Sequence, residues 1–317
     1  MAKEVPVFFI TGFMDSGKTS LINETLYKSD FSQNTESKLI ICCEDGDVEF
    51  DEEKLKTVNA KLVIVNEEEE FTAQNLNKLR EVYNPDNVFI EYNGTWEVAP
   101  FYEMKLPEGW FVAQAIALVD ATSFEMYQLN MRAMMNEIMF GAELVIFNRC
   151  TDETPKAKFR ASVKAINRPA QIVYERENGE VDNSEEELSF DINANPIEIT
   201  DADYALWFMD CMDNPKKYEG KTVHFLGLVY NPEDGSLKRN VFVPGRFAMT
   251  CCADDIQFLG MKCKYDLAHT LKHRSWVDFT GKIKIEFAKE YRGLGPVLYA
   301  EKVEAAEKPE DELVYFS

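Results

Sequence analysis

A glycine-bounded loop near the start of the chain constrains the fold more than any other feature. An apolar run over 5–10 leads into Gly12-Phe-Met-Asp15-Ser16-Gly17-Lys18-Thr19, and Ser20 then opens a helical pattern. A strand, a loop of the form GxxxxGK[ST] and a helix start, in that order, are typical of a phosphate-binding loop, or P-loop. The sequence therefore predicts a nucleotide-binding protein.

Each residue type in this loop has a physical reason. Glycine lets the backbone turn its N–H groups toward phosphate oxygens, and the helix start adds the positive end of its dipole. Lys18 is expected to reach the outer phosphates, and Thr19 is expected to hold Mg²⁺. We predict that the nucleotide is bound by Gly12, Asp15, Ser16, Gly17, Lys18, Thr19 and Ser20.

A second motif supplies the acidic residue that a P-loop enzyme needs near Mg²⁺ or its water. Glu91 ends the apolar run 87–91, and Gly94 follows where the backbone can approach the last phosphate. The alternative is a strand end exposed to solvent. We predict Lys18 and Glu91 as the catalytic residues, and Thr19 and Glu91 as the Mg²⁺ ligands.

A third motif concerns the base. GTPases read guanine with Asn-Lys-x-Asp after a strand, and here the apolar run 144–147 is followed by Asn148-Arg149-Cys-Thr-Asp152. Arginine replaces the lysine, and the aspartate comes one residue late. We predict that Asn148, Arg149 and Asp152 contact the base, and the choice between GTP and ATP stays open.

The remaining pattern indicates two domains. Over about the first 190 residues, short apolar segments alternate with helical patterns, which is typical of a mostly parallel sheet covered by helices. The predicted strands are 5–10, 38–43, 60–65, 87–91, 113–119, 144–147 and 170–174. Farther on, the period becomes two, with predicted strands at 222–230, 240–250, 257–265, 276–287 and 297–303. We expect an α/β P-loop NTPase domain over 1–192, a small all-β barrel of OB type with an N-terminal helix over 193–306, and a tail over 307–317.

Composition narrows the partners and the compartment. The formal net charge of −22 argues against binding to nucleic acid or to an anionic membrane surface. No apolar run approaches the ~18 residues of a membrane span, so no direct membrane insertion is expected. The first residues do not resemble a signal peptide, which predicts a cytoplasmic protein with reduced cysteines. The oligomeric state stays open.

The order of the motifs resembles the CobW/HypB/UreG family of P-loop GTPases, and more narrowly its CobW-like branch. The segments that carry this resemblance are the P-loop, Cys42-Cys-Glu-Asp-Gly-Asp-Val-Glu-Phe-Asp51, Glu91-Tyr-Asn-Gly94, Leu118-Val-Asp120 and Asn148-Arg-Cys. Members of that branch act as metallochaperones or metal insertases. The resemblance implies GTP hydrolysis coupled to metal handling, with a client protein that receives the metal. No arginine finger is identifiable in the sequence, so we expect slow intrinsic turnover. Segment 44–51 is the expected nucleotide-sensing switch.

One departure from the branch opens alternatives. Its usual Cys-x-Cys-Cys is replaced here by Val65-Asn-Glu-Glu-Glu-Glu-Phe71, which is best interpreted as a solvated loop. The missing thiolates favour a nucleotide-dependent regulatory or interaction protein without metal cargo. The imperfect guanine motif leaves an ATPase as a second alternative.

Thiols are concentrated instead in the C-terminal half. Residues from about 215 to 303 resemble an uncharacterised bacterial domain that accompanies predicted permeases, through Arg246-Phe-x-x-x-Cys251-Cys252-x-x-Asp255. With Cys263, the two adjacent cysteines could hold Zn²⁺ or Cu⁺ as thiolates. Neighbouring strand residues point to opposite faces, which favours the alternative that these cysteines are core residues.

Overall fold

The computed structural model describes residues 3–28, 36–44, 46, 49–232, 234–249 and 255–316. The chain divides into two compact units. The first comprises Met1–Thr154 and Ile166–Ser184, and the second comprises Pro155–Ala165 and Glu185–Ser317. The units thus divide eight residues before the predicted boundary at 192, and residues 155–165 group with the C-terminal unit. The sequence-based domain limits otherwise stay predictions.

A seven-stranded sheet forms the centre of the first unit, and its strands lie in the order β3-β2-β4-β1-β5-β6-β7. Every pairing in it is parallel, which confirms the predicted P-loop α/β architecture. The strands are β1 (Val5–Thr11), β2 (Lys38–Cys42), β3 (Ala60–Ile64), β4 (Asn87–Glu91), β5 (Trp110–Asp120), β6 (Leu144–Cys150) and β7 (Gln171–Arg176).

The helices between these strands are α1 (Lys18–Lys28), α2 (Glu52–Thr57), α3 (Ala73–Tyr83), α4 (Ala99–Glu103), α5 (Phe124–Asn130), α6 (Arg132–Phe140) and α7 (Lys156–Ile166). Two apolar clusters lie on the two faces of β4: Val88 and Ile90 belong to one, and Phe89 between them belongs to the other. Side chains of a strand alternate between faces, so the central strands are covered on both sides.

The register of the sheet determines where the functional side chains lie. Glu91, the last residue of β4, is level with Ile10 of β1 on one side and with Cys42 of β2 on the other. The P-loop follows β1 directly, and residues 43 and 44 follow β2. In a parallel sheet the carboxyl ends of strands share one edge, and ligands bind there. The predicted nucleotide motifs therefore meet at this edge.

The second unit contains the strands β8 (Ile197–Glu198), β9 (Thr222–Tyr230), β10 (Val241–Met249), β11 (Gln257–Gly260), β12 (Cys263–Lys264), β13 (Trp276–Ala288), β14 (Gly293–Ala305) and β15 (Leu313–Tyr315). Its further helices are α8 (Tyr204–Asp213) and α9 (Pro215–Tyr218). The predicted strand at 257–265 is two strands, and the predicted tail contains β15. Pairings run β10–β12–β14–β13–β9, and β9 also pairs with β10. A strand-rich second domain is thereby confirmed, whereas the OB-type barrel stays a prediction.

No helix among the described residues is long and apolar enough to cross a membrane.

Candidate nucleotide-binding site

The P-loop has the backbone conformation that its two glycines permit. Gly12 has φ +151° and Gly17 has φ +98°, values that residues with a side chain rarely adopt. A Cβ on Gly12 would lie 2.3 Å from the carbonyl oxygen of Leu118, so the loop packs directly on the end of β5. Glycine is therefore needed at position 12 for both conformation and space.

Lys18, in the first turn of α1, is almost completely buried. Its ammonium group donates to the carbonyl oxygens of Gly12, at 2.8 Å, and Phe13, at 2.9 Å. It also forms an ion pair with the carboxylate of Glu44, whose side chain is only 3% exposed. The lysine is thus folded back over its own loop, with its charge neutralised by a residue that follows β2.

Thr19 and Glu91, the two predicted Mg²⁺ ligands, are in direct contact. The Thr19 hydroxyl donates to Oε1 of Glu91 at 2.7 Å, and both residues are buried. Burial raises the pKa of the Glu91 carboxyl, and this effect outweighs the hydrogen bond from Thr19 and the nearby charge of Lys18. A buried hydroxyl and a carboxylate with few donors are oxygen ligands that suit Mg²⁺.

Gly94 brings the turn after β4 against the P-loop. A Cβ there would lie 2.2 Å from the carbonyl oxygen of Gly12, closer than any real Cβ contact. The Gly94 N–H points to Oε1 of Glu44 at 3.4 Å. This N–H and the Lys18 ammonium therefore converge on one carboxylate, at the place where the motifs predict the last phosphate.

The predicted base-reading pair also reaches the P-loop. The Asn148 amide donates to the carbonyl oxygen of Ser16 at 2.7 Å, and the Arg149 guanidinium donates to that of Asp15 at 3.0 Å. Arg149 is also paired with Asp120 at the end of β5. Ser16 is buried and Ser20 is exposed at the start of α1. The structure thus brings Asn148 and Arg149 together with the loop.

Asp152 lies apart from this contact. Its side chain is 85% exposed and is paired with Arg176 of β7 at 2.6 Å. The one-residue displacement seen in the sequence therefore corresponds to a carboxylate directed at the neighbouring strand. Its predicted contact with the base stays a prediction.

Two cavities differ in their relation to these residues. One of about 270 Å³ lies beside the P-loop, lined by loop residues 13–16 and by Asp120, Tyr127 and Arg149. A larger one, of about 970 Å³, belongs to the second unit and is lined by carboxylates from 185–191 and 210–213 together with apolar residues and two lysines. The smaller cavity is the one that adjoins the nucleotide motifs.

Only one of the three cysteines of the predicted thiol site lies among the described residues. Cys251 and Cys252 lie outside the described residues. Cys263 is fully buried in the core of the second unit, and burial raises the pKa of its thiol. Within the described ranges, no group of three or more His, Cys, Asp or Glu side chains is arranged to hold a metal. The glutamates at 67–70 are exposed, three of them in a 3₁₀ helix, Glu68–Glu70, in agreement with a solvated segment.

Sequence reasoning missed three contacts at this site: the pairing of Glu44 with Lys18, that of Asp120 with Arg149 and that of Asp152 with Arg176. Each joins residues that are distant along the chain. A usable signal existed for Glu44 and Asp120, because each is an acidic residue at or just after the end of a strand in a parallel sheet.

Comparisons with known proteins agree with these motifs. Residues 6–174 match the family model described as CobW/HypB/UreG, nucleotide-binding domain, and residues 174–316 match that of the DUF1980 C-terminal domain. No curated protein matches.

Solved structures show only distant likeness. A Zn(II)-bound triple mutant of the YjiA GTPase has 21% identity and a TM-score of 0.42, covering 58% of this chain and 60% of its own. Zn(II)-bound YjiA from E. coli has 21% identity and a TM-score of 0.40, covering 54% and 57%. The hydrogenase maturation factor HypB from Archaeoglobus fulgidus has 21% identity and a TM-score of 0.39, covering 56% and 84%. The chain thus spans about 60% of the length of the first of these structures.

Proposed function

This chain belongs to the CobW/HypB/UreG family of nucleotide-binding proteins, and from that premise we propose that it is a GTPase whose nucleotide state controls metal handling. The observation that carries the proposal is the convergence of Lys18, the contact between Thr19 and Glu91, and the Gly94 N–H at one edge of the sheet. These groups come from two separate segments of the chain, the P-loop with the start of α1 and the end of β4 with its turn, and each would take a role that phosphate chemistry requires.

The phosphate chain would be held mainly by the P-loop. Its backbone N–H groups and the start of α1 favour anions, and the Lys18 ammonium adds a full positive charge that neutralises the outer phosphates. The Gly94 N–H can donate to the last phosphate. Thr19 and Glu91 would hold Mg²⁺, which supplies further charge neutralisation when bound. Glu91 is the carboxylate best placed to orient an attacking water.

Guanine is the base that the remaining motif favours. Asn148 and Arg149 donate hydrogen bonds to the P-loop carbonyls of Ser16 and Asp15, so their side chains would lie beside a nucleotide held by this loop. Asp152 would complete recognition by accepting from the guanine edge. Because this carboxylate is displaced, we expect a preference for GTP over ATP that is weaker than an intact Asn-Lys-x-Asp would give.

Metal handling is the least direct part of the proposal. The proposed cargo is a soft metal, Zn²⁺ or Cu⁺, with Cys251, Cys252 and Cys263 as ligands and a client protein as recipient. It is supported by family membership and by the sulfur preference of soft metals. The absent Cys-x-Cys-Cys favours the alternative of a nucleotide-dependent regulatory protein without cargo, and the displaced Asp152 leaves an ATPase as a second alternative.

Two measurements on the full chain test these statements. Calorimetric titration with GTP and with ATP in the presence of Mg²⁺, followed by phosphate-release assays, should show tighter binding and hydrolysis of GTP. Equal use of ATP would contradict the guanine assignment and support the ATPase alternative.

Elemental analysis of protein purified without chelator or affinity metal tests the cargo. We expect bound Zn²⁺ that is lost when Cys251 and Cys252 are both replaced by serine. Metal-free protein, or Zn²⁺ retained in that variant, would remove the thiol site and leave the regulatory alternative.

A further inference from the structure

Resting on the proposed function, we propose that Glu44 is a built-in competitor for the last phosphate of the nucleotide. In the structure its carboxylate contacts the two donors that the phosphate would use, the Lys18 ammonium and the Gly94 N–H. Triphosphate binding would therefore displace Glu44 and shift the backbone of residues 43 and 44, which follow β2. The contact is an autoinhibitory one that links the nucleotide to this segment.

The first argument is that every N–H group of the Lys18 ammonium already has an acceptor. An ammonium group has three protons, and those of Lys18 face the carbonyl oxygens of Gly12 and Phe13 and the carboxylate of Glu44. No donor of Lys18 is left over for a phosphate. A phosphate can recruit this ammonium only by taking the place of one of these acceptors. Glu44 is the acceptor that is not part of the P-loop itself, and it acts through a side chain, so it is the one able to leave.

The second argument is charge. Glu44 and Glu91 are both buried beside a single cation, Lys18, and the charge of Glu44 contributes to the raised pKa of Glu91. A triphosphate would bring several more negative charges to the same donors. Like charges at hydrogen-bond separation in a buried site repel strongly. The carboxylate and the last phosphate therefore exclude each other.

The third argument is the connection of Glu44 to its neighbours. Its backbone carbonyl accepts from the Cys42 thiol at 3.0 Å, and the carbonyl of Cys43 accepts from the Asn93 amide at 3.0 Å. Displacing the Glu44 side chain therefore acts on a backbone that is tied to both β2 and the turn after β4. Because of these hydrogen bonds, a movement caused by the phosphate would begin at the end of β2.

The test is the affinity of Glu44→Gln for GTPγS and for GDP, measured calorimetrically in the full chain with Mg²⁺. Glutamine keeps the size of the side chain and removes its charge. We expect GTPγS to bind to the variant about tenfold more tightly than to the wild type. The gain in affinity for GDP should be smaller, because GDP lacks the competing phosphate. Glu53→Gln, which removes an exposed carboxylate on α2, serves as the matched control and should change neither affinity.

Unchanged or weaker GTPγS binding in Glu44→Gln would overturn the inference, and weaker binding would show that Glu44 assists the nucleotide. If this variant does not fold, Glu44→Asp keeps the charge but shortens the reach to Lys18, and it should also tighten binding several-fold. Absence of GTPγS binding in the wild type as well would remove the proposed function and this inference with it. Binding by the wild type without any gain in the variants removes the inference alone.

Discussion

The two units each bury a carboxylate, and they satisfy it in opposite ways. Glu91 of the first unit accepts one hydroxyl hydrogen bond, from Thr19, and a long contact from the Cys42 thiol at 3.8 Å. Asp210 of the second unit accepts from four donors, which are Arg160, Asn214, Lys217 and Tyr218. Both residues are at most 3% exposed, so burial alone does not distinguish them.

The pKa values separate the two sites. Burial raises the pKa of Glu91, whereas at Asp210 the opposing effect of burial is outweighed by hydrogen bonds from Tyr218, Lys217 and Asn214, which lower the pKa. A carboxylate with a lowered pKa stabilises the fold when ionised, and one with a raised pKa costs stability when ionised. Ionised Asp210 therefore stabilises the fold of the second unit, whereas ionised Glu91 opposes folding of the first, as suits the Mg²⁺ ligand that we propose it to be.

The largest expected effect is on stability, from Asp210→Asn. Removing the charge leaves Arg160 and Lys217 without their shared partner, and breaking a buried pair in this way costs about 3–5 kcal/mol. Chemical denaturation should show this loss, while GTP affinity of the folded variant stays unchanged. Asp213→Asn is the control, because its carboxylate lies at a longer 3.4 Å from Arg160, and it should cost about 1 kcal/mol or less. A changed GTP affinity in Asp210→Asn would break the comparison.

Lys18→Ala should show the opposite pattern, because its main effect should be on nucleotide affinity and not on stability. Losing a charge-assisted contact of ~1.5–3 kcal/mol weakens triphosphate binding by about tenfold or more, and hydrolysis should be lost. Calorimetry and phosphate release measure both. The control is Lys56→Ala, which removes a lysine whose side chain is 57% exposed. GTP affinity that survives in Lys18→Ala would refute the assignment of the P-loop.

Glu91→Gln sharpens the comparison most directly. Because the raised pKa means that ionised Glu91 opposes folding, we expect the nucleotide-free variant to be more stable by about 1 kcal/mol. The same change should abolish Mg²⁺-dependent GTP hydrolysis. Glu97→Gln, an exposed carboxylate in the loop after β4, should do neither. A loss of stability in Glu91→Gln would show that ionised Glu91 stabilises the fold, as ionised Asp210 does.

The smallest effect is expected for Asp152→Ala. Its pair with Arg176 is exposed, so the free energy of unfolding should change by about 1 kcal/mol or less. The ratio of GTP to ATP affinity should nevertheless fall, because the carboxylate is the predicted guanine acceptor. Glu153→Ala, the exposed neighbour, should leave the ratio unchanged. An unaltered ratio in Asp152→Ala would leave Asn148 and Arg149 as the base-reading residues.

The sequence predicted the parts of this molecule that local pattern determines. Buried strands of the first unit and the P-loop follow from apolar runs and glycine positions, and the register of the parallel sheet then joins Thr19 to Glu91. The sequence pattern over 124–139 predicts one helix, but the structure has two, which meet at Met131. Gln128 donates to Asn136 across the break at 3.2 Å. No glycine or proline marks it, so only tertiary packing could reveal it.

The sequence also could not show that residues 155–165, which include most of α7, belong to the second unit. An amphipathic helix between two strands of a parallel sheet is expected to belong with that sheet. Instead Ala157 and Ala161 join the apolar core of the second unit, and Arg160 supplies a guanidinium to Asp210. A fragment that begins after α7 would lack these side chains, so the thiol site is best tested in the full chain.

This path of the chain also imposes an order on synthesis. Residues 155–165 emerge from the ribosome before 185–317, to which they belong. In the folded chain the Ser162 hydroxyl donates to the carbonyl oxygen of Phe316 at 2.6 Å. This hydrogen bond can form only after residue 316 has been made. Domains generally fold as units during synthesis, the N-terminal one first. Here the C-terminal unit cannot be completed until residues up to 316 have been made, because Ser162 and Phe316 belong to the same unit.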